Sequence, residues 1–131
     1  MDSSCKIAVI VVVYNKSCKE SITCQALKAL RHTKVSVLVY DNSVRDFGNA
    51  SYCEKQEWIY FSQGENVGIS KAYNVCVDHL KKYMLADYLC LFDDDTNISE
   101  EYFDTLNSAI NGYDADIYVP FIFSAGRLLS P

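Results

Sequence analysis

The chain has 131 residues, 50% of them hydrophobic and 22% charged, which fits one globular domain and leaves no room for two. Twelve basic residues against seventeen acidic ones give a net charge of -5, so the basic field that nonspecific nucleic-acid binding needs is missing. The longest apolar run, Ile7 to Val13, is far too short to cross a bilayer, and the N-terminus has no basic stretch leading to a small-residue cleavage site; a soluble, intracellular domain is expected.

In chain order, Ile7–Tyr14 (IAVIVVVY) is a continuous β-branched run, the pattern of a strand buried on both faces. Ser17 with Glu20 forms a capping box, and Ile22, Ala26, Leu27 and Leu30 follow on one helical face. Lys28 and Arg31 then fall where a helix C-terminus favours positive charge. Val35–Tyr40 repeats the strand pattern, Val44–Glu54 has room for one short helical turn, and Trp58–Phe61 is a third strand. Ile69, Ala72, Tyr73, Cys76, Leu80 and Tyr83 step by three or four and predict a second amphipathic helix. Tyr88–Phe92 is a fourth strand. Ser99 caps a third helix, with Glu100 and Glu101 in its first turn and Phe103, Leu106 and Ile110 facing inward, and Ile117–Phe123 is a fifth strand. This alternation predicts an α/β, Rossmann-like fold: a mostly parallel sheet with helices on both faces, one unit over residues 1–131.

Six cysteines suggest a disulfide framework, but none is spaced CxxC, and no Cys/His cluster has zinc spacing. Cys76 and Cys90 fall at apolar positions, so the cysteines are read as small buried hydrophobes kept reduced. His32 and His79 are isolated and are read as surface or helix-end residues.

In open α/β sheets ligands bind at the carboxyl ends of the strands. Three ends here turn polar at once: Tyr14-Asn15-Lys16, Asp41-Asn42-Ser43 and Asp93-Asp94-Asp95-Thr96. A structural turn explains any one of them; three on one edge point to a site. The first strand–helix turn has no glycine, which removes both the dinucleotide fingerprint and the phosphate loop. Asp93 and Asp95, alternating to one side, are hard oxygen donors suited to Mg²⁺ or Mn²⁺ bridging to a diphosphate; the other reading is a solvated acidic turn. Asp41 either forms an Asx-turn or accepts the imide N–H of uracil or thymine. In Gly64-Glu65-Asn66-Val67-Gly68, glycine permits close backbone approach to a ligand before a helix N-terminus. Lys71 either reaches toward phosphate or is a solvated helix-face lysine.

Taken in order, VVVYN (11–15), VYDNS (39–43), GENVGISKAYN (64–74) and LFDDDT (91–96) resemble the motifs of the inverting family 2 glycosyltransferases, which have the GT-A fold; the last resembles their DxD motif. The resemblance covers nearly the whole chain and is nearest in flavour to bacterial rhamnosyl- or galactosyltransferase-like members that build surface polysaccharides. It implies that Tyr14, Asn15 and Asp41 line a nucleoside pocket and that Asn66, Gly68 and Lys71 follow the ribose–diphosphate path. It further implies that Asp93 approaches the ribose or sugar and that Asp93 and Asp95 hold Mn²⁺ or Mg²⁺, Asp95 being the principal ligand. The implied reaction moves a hexose from a UDP, dTDP or GDP sugar to a glycan or lipid-linked acceptor with inversion, in the cytoplasm and peripherally at the inner membrane face.

Two departures stand out. Tyr73 occupies a position where many relatives carry Arg, leaving Lys71 as the basic residue nearest that path. The family's catalytic base and acceptor-binding elements lie well beyond the DxD motif, and Glu100 and Glu101 follow it too closely to serve. No base is therefore named, and the chain is expected to be the donor-binding half, truncated before the acceptor part. The alternatives are a non-catalytic nucleotide-sugar-binding module that keeps the fold, and a nucleotidyltransferase. The latter usually has a Gly- and Arg-rich loop after the first strand, which Tyr14–Cys18 lacks.

Overall fold

The computed structural model describes residues 5–120 and 122–130. Two compact units divide the chain, Met1–Glu100 and Glu101–Pro131. In the first, β1 (Ile7–Val13), β2 (Ser36–Asp41), β3 (Ile59–Ser62) and β4 (Tyr88–Phe92) form one sheet in the order β3-β2-β1-β4, with every neighbouring pair parallel. A 3-10 turn (Cys18–Glu20), α1 (Ile22–Lys28), α2 (Asn49–Gln56) and α3 (Ile69–Tyr83) make the connections.

Right-handed crossovers dictate the layers. The chain steps from β1 to β2 to β3 in one direction and then returns past β1 to β4, so α1 and α2 cover one face and α3 the other. On the α3 side, Ala8, Ile10, Leu38 and Tyr40 meet Ala72, Cys76 and Leu80 in one buried cluster. Val9, Val11, Val13, Val37 and Val39 alternate to the opposite face and are equally buried. Burial on both faces is what the unbroken β-branched runs demand, and each buried valine contributes about 1.5–3 kcal/mol. The register pairs Val13 with Asp41 and Val11 with Phe92, so the carboxyl ends of β2, β1 and β4 emerge side by side.

Some expectations are corrected. Ser17 does not open the first helix: its hydroxyl caps the 3-10 turn by accepting from the Lys19 N–H. Ser21 is the true N-cap of α1, accepting from the Cys24 N–H at 3.1 Å. The inner face rotates accordingly: Thr23, Cys24 and Leu27 are buried, while Ile22 is half exposed. The region expected to hold one helical turn carries the two-turn α2, entered through Gly48 at φ 76° and closed by Glu57 at φ 61°. Its buried residues are Asn49, Tyr52 and Cys53, and the polar Asn49 hides the apolar periodicity. His79 is partly buried near the end of α3, its ring 5.3 Å from Phe61 and 4.8 Å from Tyr83.

The second unit contains most of α4 (Glu100–Gly112) and an antiparallel hairpin of β5 (Ile122–Ser124) and β6 (Arg127–Ser130). Among the described residues no fifth strand over Ile117–Phe123 joins the four-stranded sheet. Residues 117–120 are irregular, residue 121 lies outside the described residues, and β5 pairs with β6 in a separate two-stranded sheet. Pro120 has no N–H to offer a ladder, and Ile117 and Val119 point into solvent. The hairpin turns through Ala125 and Gly126, both at positive φ, as a two-residue mirror-image turn requires.

Candidate functional site

A cavity of about 390 Å³ opens at the carboxyl ends of β1, β2 and β4. One wall is made by Tyr14, Asn42, Asn66 and Gly68 together with Val12 and Ile69; the other is the acidic turn Asp93-Asp94-Asp95. Asn42 carries the first wall. Its N–H donates to the Val13 carbonyl at 2.8 Å, its side-chain oxygen accepts from the Val67 N–H at 3.2 Å, and its amide reaches the Gly68 carbonyl at 3.4 Å. Asn66 closes the same loop by accepting from the Gly68 N–H at 2.9 Å. Gly68 sits at φ 87°, ψ 160°, a region open essentially to glycine alone. A Cβ there would meet nothing within 4 Å, so the requirement for glycine is conformational, and its backbone faces open space.

The second wall rests on α1. The Thr23 hydroxyl donates to the Asp93 carbonyl at 2.5 Å and accepts from the Thr96 N–H at 2.7 Å. The Ser21 hydroxyl donates to the Asp94 carbonyl at 2.6 Å. Lys16, from the loop after β1, pairs with the Asp94 carboxylate at 3.0 Å. The Asp93 and Asp95 carboxylates are exposed and have no hydrogen-bond or ion-pair partner among the described residues.

Below the rim, Asp41 is only 3% exposed. It accepts from the Ser43 N–H at 3.0 Å, the Asn49 amide at 3.0 Å and the Tyr60 hydroxyl at 2.9 Å. Asn49, fully buried, also donates to the Lys16 carbonyl at 3.0 Å and accepts from the Cys18 N–H at 2.7 Å. This hub ties the end of β2 to α2 and to the loop after β1. Burial and the bond to Asp41 together push the Tyr60 hydroxyl pKa up, so the phenol stays a donor.

Residues 8–128 match the family model for Glycosyl transferase family 2. The chain belongs to that family. It is similar to Glycosyltransferase GlyA of Streptococcus pneumoniae serotype 4, with 32% identity over 126 residues, or 91% of this chain and 17% of GlyA. Among solved structures it resembles S. aureus TarS 1-349, with a TM-score of 0.62 and 21% identity over 81% of this chain and 32% of TarS 1-349. The complex of TarS 1-349 with UDP gives a TM-score of 0.58 and 22% identity over the same 81% of this chain and 32% of TarS 1-349. At that identity the TarS likeness speaks to the fold. The chain thus spans a small part of GlyA and about a third of TarS 1-349.

Against this family background, Tyr14, Asn66, Gly68, Asp93 and Asp95 line the cavity, whereas Asn15, Asp41 and Lys71 do not. Asn15 adopts a left-handed backbone (φ 49°) and its N–H donates to the Ser43 hydroxyl at 2.8 Å, with its side chain turned to solvent. Lys71 is exposed on the first turn of α3. Sequence reasoning missed Asn42 as a lining residue, although it stands inside a polar strand end that had been singled out. It also missed Lys16, Ser21, Thr23 and Asn49, whose roles depend on partners distant in sequence. Among the described residues no group of three or more His, Cys, Asp or Glu side chains is placed to hold a metal. Of the carboxylates lining the cavity, Asp93 and Asp95 are without a partner among the described residues; hard oxygen donors of this kind suit Mg²⁺ or Mn²⁺, which complete their shell with water and phosphate. Among the described residues no helix is long and apolar enough to cross a membrane.

Proposed function

We propose that this chain carries the donor-binding site of an inverting glycosyltransferase, one that moves a hexose from a nucleoside diphosphate to a hydroxyl of a glycan or lipid-linked acceptor. The observation that carries this reading is the cavity itself, with an aromatic and amide wall facing a carboxylate wall across three strand ends. Tyr14, 52% exposed at the end of β1, offers a ring face to a base, while the amides of Asn42 and Asn66 stand beside it. Lys16 neutralises Asp94, so the acidic turn presents two carboxylates rather than three. Asp93 and Asp95 would hold Mn²⁺ or Mg²⁺, which when bound supplies Lewis-acid stabilisation of the departing nucleoside diphosphate. Asp41, with three of its four acceptor sites filled, acts chiefly by fixing the strand end from which Asn42 reaches the cavity.

Inversion needs a general base on the acceptor hydroxyl. The carboxylates of the cavity are otherwise occupied, as metal ligands or as the partner of Lys16, so the base belongs to no residue lining it. UDP is the first nucleotide to test because one of the similar TarS structures is a complex with UDP; dTDP and GDP complete the set. Calorimetric titration of all three, with Mn²⁺ and with EDTA, is expected to find at least one that binds and is tightened by Mn²⁺, with Asp95→Asn abolishing that gain. Failure of all three to bind, or binding indifferent to Asp95→Asn, would overturn the proposal.

A further inference from the structure

We infer that Thr23, seconded by Ser21, is a positioning residue for the metal-binding carboxylates, a buried hydroxyl latch that holds the Asp93–Asp95 turn in the geometry a divalent cation requires. The inference rests on the donor-site reading above. It grows out of how the turn is supported. Four hydrogen bonds run from the start of α1 to the backbone of residues 93–96, two of them through the Thr23 hydroxyl, one through the Ser21 hydroxyl and one from the Thr23 N–H to the Asp94 carbonyl at 3.4 Å. The Thr23 hydroxyl is used both ways, donating to Asp93 and accepting from Thr96, so it spans the turn from its first residue to the one after its last acid. Ser21 and Thr23 are both fully buried, where water does not compete for these bonds. The β-branched threonine is also stiff about χ1, which fixes the oxygen relative to α1.

The turn has reason to need such support. Three successive carboxylates repel one another, and among the described residues only Asp94 has a countercharge, in Lys16. With Asp93 and Asp95 lacking side-chain partners among the described residues, their spacing is set by their backbone, and their backbone is held by the hydroxyls of α1. Mg²⁺ and Mn²⁺ tolerate little misplacement of their oxygens. A serine or threonine that merely filled buried space would support the fold equally with and without metal, and that difference is measurable.

The test is UDP titration of the full chain in Mn²⁺ and in EDTA, for the wild type, Thr23→Val and Thr23→Ser, with thermal unfolding run alongside. Thr23→Val keeps the shape and removes the hydroxyl; it is expected to shrink the Mn²⁺-dependent gain in UDP affinity about 10- to 100-fold while leaving the EDTA affinity within about twofold. Thr23→Ser restores the gain. A folded Thr23→Val protein with the wild-type gain overturns the latch, as does one in which Mn²⁺ and EDTA affinities fall by the same factor. A wild type that binds UDP no tighter with Mn²⁺ overturns the metal site and the latch together, which separates failure of the donor-site reading from failure of this one. Should Thr23→Val not fold, Ser21→Ala removes one bond to the turn together with the α1 cap on the Cys24 N–H: a smaller loss confined to the Mn²⁺ series supports the latch, and an unchanged gain, or an equal loss in Mn²⁺ and EDTA, overturns it.

Discussion

Beneath the carboxyl edge of the sheet, Asp41, Asn49 and Tyr60 satisfy one another, whereas the Tyr40 hydroxyl, one residue away on the opposite face of β2, is buried without a hydrogen-bond partner among the described residues. The ring earns its place: it stacks on Phe61 at 6.4 Å and packs in the cluster with Ala72 and Cys76. Burial raises the hydroxyl's pKa, so it stays neutral, but a neutral unsatisfied hydroxyl still costs about 1–3 kcal/mol. Tyr40→Phe keeps the ring contacts and removes the orphaned group. It is expected to raise the denaturant midpoint by the equivalent of about 1 kcal/mol; a lower midpoint would mean the hydroxyl has a partner after all. The contrast between neighbours explains what single residues can and cannot disclose. Tyr40 and Asp41 were both legible as strand-end residues, one apolar and one a carboxylate. Which of them finds partners depends on Asn49 and Tyr60, which other elements deliver.

Elements were legible where burial is periodic. β1, β2 and α3 expose their character through unbroken β-branched runs or a clean apolar stripe. α1 was placed one cap too early because Ser17 and Ser21 both satisfy the rules for an N-cap, and only the 3-10 turn between them assigns Ser21 to the helix. α2 was underestimated because its buried face includes Asn49, and the fifth strand was misassigned because hydrophobic residues before Pro120 are exposed. Glu100 carries a similar lesson. Its place at the start of α4 was legible, but its carboxylate accepts from the N–H groups of Arg31, His32 and Thr33 and from the Thr33 hydroxyl, holding the connection between α1 and β2. The Thr33 hydroxyl and then the Arg31 and His32 amides hold its pKa down to about 2 from an ordinary 4.5. A depressed carboxyl stabilises the fold fully above its unfolded pKa and loses that contribution as pH falls toward its folded one. Thermal unfolding followed from pH 7 to 2 should therefore steepen below about pH 4.5. In Glu100→Gln the midpoint at pH 7 is expected to drop and the acid limb to flatten; an unaltered limb would remove Glu100 from the account.

For the molecule as a whole, the rule that ligands gather at strand carboxyl ends points to the edge where the cavity opens, because parallel strands all end on one side of the sheet. The supports of the cavity were not legible, since Lys16 with Asp94 and Thr23 with Asp93 are contacts across most of the chain. The cysteines are the other whole-molecule feature. All six are free, and five of them are buried. Burial pushes Cys76 up to about 12 and Cys90 to about 11. Cys18 reaches about 12: the thiol bond with Cys24 lowers it, but the bond with Cys53 and burial more than offset this. Cys24 is raised first by its bond with Cys18 and then by burial. A thiol reacts as the thiolate and only where a reagent can reach it, so these side chains behave as packing groups. At neutral pH an aromatic disulfide reagent is expected to modify Cys5 rapidly and the five buried thiols only after denaturant is added, and a reductant should leave the thermal midpoint unchanged. Fast reaction of several thiols in the native chain would mean that the cluster of Cys18, Cys24 and Cys53 opens far more readily than its burial implies.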